Sequence, residues 1–364
     1  MTDPILSERT YDMGNERNYG IDLLRLVLMF MVCMLHTLGQ GGVLTAASSA
    51  DINKYEAFLF LEMFSYCAVD AFAIISGYMS SDRPLRKEKI VEMWFQVFFY
   101  SFIVTLILTV AGVNRDWDIF EIIKCVFPVT FGYFWYFTAF FVLFLATPIL
   151  NKFIFSIDEN TAKKAFIIFV VMFSVMGTIA DPFISNYGYS AIWLMVLYCI
   201  GALAKKIRLF EKRRSITLLL IWILCIYITW VAGEIFAFKK LTSYVSPTIM
   251  ISGMIMVVLF SRLKLKRTAA VAKLSPLAFG VYLFQNNHVI WDKAIKNAFT
   301  FAVSQNIFIG VFYVFDLALL IFVCGLAIEF ARSRLAKLLK IPLLSKKLAV
   351  LVDKLIGKMT VLLK

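Results

Sequence analysis

Long apolar runs broken by short basic patches make up most of the chain. A helix needs about 20 mostly apolar residues to cross the hydrocarbon core of a bilayer. Ten runs are candidates: residues 21–39, 57–79, 90–112, 132–150, 165–181, 190–204, 216–236, 245–261, 276–293 and 306–330. The fifth is short. Ser275 and Pro276 ahead of the ninth suit a helix start, because proline lacks an N–H that has no partner there anyway. The stretch 116–130, with Trp117, Phe120 and Pro128, suits the membrane interface. The pattern predicts an all-α polytopic membrane protein of about ten transmembrane helices in three regions: a polar tail (1–18), a transmembrane domain (19–335) and a basic tail (336–364). In the last region Lys347, Lys354 and Lys358 share one helical face, while Leu348, Leu351, Leu355, Met359 and Leu362 share another. That is the pattern of a helix lying on an anionic leaflet.

Composition agrees. Of 364 residues 61% are hydrophobic and 17% charged, against about 45–50% and about 25% in soluble domains. A net charge of +13 would raise nucleic-acid binding in a soluble protein, so the placement of the charges decides. With a cytoplasmic N-terminus, 29 basic residues fall in inside segments and 7 in outside segments, leaving Arg25 within the first span. The positive-inside rule therefore predicts N- and C-termini in the cytoplasm of a plasma-membrane protein. The charge is then a product of topology, and no nucleic-acid partner is expected. Residues 1–18 are polar and mixed in charge, and the first run lacks a small-residue cleavage site, so no cleavable signal is expected. Six cysteines sit singly in apolar stretches and read as small buried residues; with two distant histidines they predict no metal site.

Ionisable residues inside spans are expensive and by default mark a site. The first span carries Asp22, Arg25 and His36. Arg25 and His36 are three full turns apart, so they share a face separated by about 16 Å along the axis. Asp22 stands at i−3 from Arg25 and can pair with it. His36 titrates near neutrality and is the leading candidate for proton chemistry. In the second span Glu62 matches the depth of His36 and Asp70 lies near mid-membrane; either can orient the imidazole and stabilise its charged form. Arg83 and Arg86, three apart at the cytoplasmic mouth, can bind phosphate in forked hydrogen bonds.

Together these residues resemble the acyltransferase-3 family of bacterial membrane proteins. The family's Arg, ten intervening residues and His are matched by Arg25 and His36, within the phrase that opens Asp22-Leu23-Leu24-Arg25. An apolar aromatic run ending Ser-Gly-aromatic is matched by Ala68–Met79, including Ser76, and the Arg-x-x-Arg at Arg83–Arg86 follows it. Trp135-Tyr136-Phe137 resembles the Trp-Tyr motif that opens a later span. One departure stands out: the family's Tyr-Leu-x-His phrase reads Tyr282-Leu283-Phe284-Gln285 here, with His288 three residues on.

The resemblance implies transfer of an acyl group, usually acetyl from acetyl-CoA, to a hydroxyl of an extracytoplasmic glycan or its lipid-linked precursor. It involves no permanently bound cofactor. Asp22, Arg25, Ser76, Arg83 and Arg86 are then expected at the acyl-CoA, and Trp135 and Tyr136 at the acceptor. His36 is expected as general base or transient acyl carrier, with Glu62 or Asp70 beside it. The rival reading is an ion-coupled transporter or flippase of a glycan-related solute, since intramembrane ionisable residues also build ion pathways. Transporters often carry two related halves, whereas here the ionisable residues crowd into the first two spans. A membrane scaffold leaves the three-turn spacing unexplained.

Overall fold

The computed structural model describes residues 17–80, 85–114, 117–234, 239–266 and 269–362; among these there are helices and connecting turns and no strand. In lipid each backbone N–H and C=O must be paired within its own segment, which helices achieve. The chain runs through α1 (Tyr19–Leu38), a short α2 (Val43–Ala50) and α3 (Ile52–Tyr78). It continues through α4 (Lys87–Val110), a short α5 (Ile119–Val126), α6 (Trp135–Ser156) and α7 (Glu159–Ala180). Then come α8 (Ala191–Lys206), α9 (Ser215–Glu234), α10 (Pro247–Ser261), α11 (Ala269–Gln285), α12 (Ile307–Leu338) and α13 (Ile341–Leu362). The protein is an all-α polytopic membrane protein.

Among the described residues eight helices are long and apolar enough to cross a bilayer, α10 being counted together with the turns ahead of it as Lys240–Ser261. The sixth and ninth expected spans are the two that fall short. α8 has 16 residues. α11 begins seven residues earlier than expected and ends at Gln285, so Pro276 lies inside it. Proline cannot donate there, and the chain answers with a 3₁₀ turn over Ser275–Leu277. Residues 288–295 form a separate turn. Its start is fixed by Asn287, whose side chain accepts from the N–H groups of Val289 and Ile290, an N-cap.

The helices form an inner group and an outer ring. The α1, α3 and α10 spans are each 67% buried, against 17–33% for α4, α6, α7, α9 and α12. Lipid gives helices no hydrophobic reason to associate, so close backbone approach carries much of the packing. α3 and α8 use glycine for this on both sides. A Cβ on Gly77 would lie 1.8 Å from the Tyr198 carbonyl oxygen, and one on Gly201 would lie 2.3 Å from that of Ile74.

Buried polar groups fasten the outer ring. Glu329 of α12, 2% exposed, accepts from Arg332 at 2.6 and 2.8 Å, from the Tyr100 hydroxyl at 2.9 Å and from Gln96 at 3.0 Å. A buried carboxylate persists when it is paired and fully hydrogen-bonded in this way. α4 carries a π-helical stretch at Phe99–Ile103, and the Tyr100 carbonyl there accepts from Asn287 Nδ2 at 2.8 Å. α4 is thereby tied to the turn that follows α11. α13 packs against the first turns of α4.

Candidate active site

One cavity of about 1030 Å³ runs beside α1 along most of its length. Arg25, Ser76, Lys89 and Ser275 line one end, and His36, Gln40 and Glu62 line the other, with aromatic side chains from α3, α6 and α11 between and around them. The three-turn spacing in α1 sets the height, about 16 Å from Arg25 to His36.

At the cationic end Asp22 is buried and its charge is well matched. Its carboxylate accepts from Arg25 Nη1 at 2.8 Å, from Ser275 Oγ at 3.1 Å and from Arg17 Nε. Asp22 engages one N–H of Arg25, whose side chain is 36% exposed and borders the cavity, so among the described residues its remaining donors are open to a ligand. Ser76 donates to the Phe72 carbonyl at 3.0 Å, one turn back on its own helix. Lys89 borders the cavity and reaches Glu92 at 2.5 Å. The expected clamp looks different. Arg86 is exposed, stands 3.7 Å from Glu88 and takes no part in the lining, and Arg83 lies outside the described residues. Among the described residues the cations that border this end are Arg25 and Lys89.

At the other end His36 packs edge-to-face on Trp291, ring centroids 5.1 Å apart. Its Nδ1 is buried with no hydrogen-bond partner, and so is Oε1 of the adjoining Gln285. Gln285 Nε2 approaches Met29 Sδ at 3.9 Å. A proton on Nδ1 directed at Gln285 Oε1 is the pairing that serves both orphans. In that tautomer Nε2 keeps its lone pair for the cavity.

Glu62 borders the same end of the cavity, and its Oε1 would be 3.9 Å from a Cβ placed on Gly39 of the α1 terminus. Asp70 is elsewhere. It is fully buried, accepts from Trp193 Nε1 of α8 at 3.0 Å, and leaves Oδ2 without a partner. Helix rotation is the cause. Glu62, Tyr66, Val69, Phe72 and Ser76 form a stripe at helical spacing that faces the cavity, and Asp70 is one step, about 100°, round from Val69. Of the two carboxylates, the fold brings Glu62 to the His36 cavity and turns Asp70 towards α8.

Trp135 and Tyr136, at the start of α6, both line the cavity. The Tyr136 N–H donates to the Tyr282 hydroxyl at 3.1 Å and its own hydroxyl donates to the Val69 carbonyl at 3.3 Å. These bonds seat the opening turn of α6 against α11 and α3. His288, stacked on Tyr133 with centroids 3.9 Å apart, also borders the cavity. Sequence reasoning missed Lys89, Trp291, Tyr66, Tyr189 and Tyr244 as cavity residues, and it gave Gln285 no role. Gln285 had a signal, since it occupies the place of a histidine in the Tyr-Leu-x-His phrase. Tyr189 and Tyr244 sit just outside helices and carry no periodic signal.

The helical membrane domain thus encloses a largely apolar, aromatic cavity with cations at one end and an imidazole at the other. The family described as "Acyltransferase domain" matches residues 18–330, and the chain belongs to this acyltransferase-3 family of membrane acyltransferases. The match takes in both ends of the cavity. Comparison with curated proteins and with solved structures gave no match.

Proposed function

We propose that the protein is an O-acyltransferase of the plasma membrane. It moves an acetyl or other short acyl group from acyl-CoA on the cytoplasmic side to a hydroxyl of a cell-surface glycan or its lipid-linked precursor. The observation that carries this reading is the single cavity joining Arg25 to His36. The basic residues near the Arg25 end follow the positive-inside pattern for a cytoplasmic face. A CoA donor entering there would set its phosphates against Arg25 and Lys89. The extended pantetheine arm would then run along the α1 face and deliver the thioester to His36.

The chemistry follows from the tautomer that Gln285 favours. Nε2 of His36 takes the proton of the acceptor hydroxyl as that oxygen attacks the thioester carbonyl. The tetrahedral intermediate collapses, the C–S bond breaks, and the imidazolium returns its proton to the departing CoA thiolate. The ester and free CoA result, and the histidine ends as it began.

The test is transfer of radiolabelled acetyl from acetyl-CoA by the full chain in lipid nanodiscs. The His36→Ala variant is expected to lose about 10²–10⁴-fold in kcat, the usual span for a general base, with acetyl-CoA affinity retained. Wild-type protein that consumes no acyl-CoA, in cells where its deletion abolishes glycan export, would point to transport instead.

A further inference from the structure

Among the described residues Glu62 is the one cavity-lining carboxylate, and it has no hydrogen bond or ion pair there. Its surroundings are aromatic. Tyr66, one turn along α3, stacks on Tyr244 with ring centroids 4.8 Å apart and planes 29° apart. Trp135 lies 4.7 Å from Tyr189 and 6.5 Å from Tyr244, and Tyr189 lies 5.1 Å from Tyr244. All four rings border the same cavity. They come from four separate places, α3, the start of α6, the turn ahead of α8 and the turn ahead of α10, so no single helix's periodicity produces the cluster. Among the described residues the Tyr66 hydroxyl and the Trp135 indole N–H make no hydrogen bond, although neither is sealed from the cavity.

From this arrangement, and resting on the acyl-transfer reading, we propose that Glu62, Tyr66, Trp135, Tyr189 and Tyr244 form the acceptor subsite. The ring they hold is a pyranose that is neutral or amine-bearing, and uronates are excluded. A pyranose has two kinds of surface: a C–H face that lies flat on aromatic rings, and a rim of hydroxyls that donate hydrogen bonds. The cluster supplies the flat rings, and Glu62 supplies the acceptor for the rim. An acyl chain would use the rings but leave a half-buried carboxylate unpaired in a water-poor cavity, which is costly. Exclusion of uronates follows from charge. A ring carboxylate in this subsite would face Glu62 across a few ångströms of low-dielectric space, and among the described residues no Lys or Arg borders this end to offset the repulsion.

The experiment uses the full chain in nanodiscs, radiolabelled acetyl-CoA, and three acceptors: methyl glucopyranoside, methyl glucosaminide and methyl glucuronide. Wild type is expected to favour the glucoside and the glucosaminide over the glucuronide by at least about tenfold in kcat/KM. Glu62→Gln keeps the shape and removes the charge, so that preference should shrink towards unity. Trp135→Ala should raise the acceptor KM about tenfold while the KM for acetyl-CoA stays within about twofold, a split that general misfolding would not produce. The subsite is overturned by a glucuronide discrimination that survives in Glu62→Gln, or by an unchanged acceptor KM in Trp135→Ala. It is also overturned if acetyl-CoA is consumed without transfer to any of the three glycosides, a result that leaves the acyl-CoA reading standing. No acetyl-CoA consumption at all would remove both.

Discussion

At the scale of single residues, the decisive pair is His36 and Gln285. Each presents a buried polar atom with no other partner, and an unpaired buried group costs about 1–3 kcal/mol. A proton on Nδ1 shared with Gln285 Oε1 would relieve both and leave Nε2 for the substrate. Gln285→Leu removes the acceptor, so kcat is expected to fall by about tenfold to a hundredfold with little change in the KM for acetyl-CoA. Gln285→Glu keeps an acceptor oxygen in place and should recover most of the loss; a leucine variant with wild-type kcat would show that the ring is oriented by packing on Trp291 alone. The sequence makes Arg25 and His36 legible because their spacing is internal to one helix. It does not separate Glu62 from Asp70, because the rotation of α3 about its axis depends on what packs against it. The glycines that admit α8 so closely are part of that cause.

At the scale of elements, the α3–α8 contact is where the fold is least tolerant. Gly77 and Gly201 each leave no room for a Cβ against a facing carbonyl, and backbone cannot swing aside as a side chain can. Gly77→Leu or Gly201→Leu is expected to cost well over the 1–3 kcal/mol typical of core overpacking, read as a lower Tm and aggregation in detergent. Leu320→Ala, on the exposed face of α12, should stay within about 0.5 kcal/mol of wild type. Equal effects from the two kinds of substitution would contradict the inner-group and outer-ring arrangement. Element existence was readable from hydropathy alone, and all ten apolar runs contain helix. Their ends were less so. α7 starts at Glu159 because the Asp158 side chain accepts the Thr161 N–H, and α3 starts at Ile52 because Asp51 caps it; both caps stand outside the apolar run that defines a span. The π stretch in α4 has no hydrophobic signature either. It is sustained by Asn287, 187 residues away from the carbonyl it serves.

For the whole molecule, the proposed function requires the two ends of one cavity to open to opposite sides of the membrane. Charge placement argues for this arrangement. Basic residues concentrate at the Arg25 end, where α1 begins and α3, α8 and α10 finish, which fits the proposed cytosolic acyl-CoA donor. The His36 end has Glu62 and aromatic rings in place of lysines and arginines, which suits a glycan hydroxyl. Single cysteines report on the two mouths separately. Gln40→Cys sits at the His36 end and Lys89→Cys at the Arg25 end. Native thiols interfere little, since five are buried and Cys324 lies on the lipid-side run of α12. In intact cells a membrane-impermeant maleimide is expected to modify Gln40→Cys at least about tenfold faster than Lys89→Cys, because an ionic reagent does not cross about 30 Å of hydrocarbon. In inverted vesicles the order should reverse, and acetyl-CoA should slow only the reaction at position 89. Modification of both positions from one side would mean a cavity with a single mouth, and the donor and acceptor would then have to share it. Faster labelling of position 89 from outside would invert the orientation drawn from the basic residues and place the donor end in a compartment without acetyl-CoA.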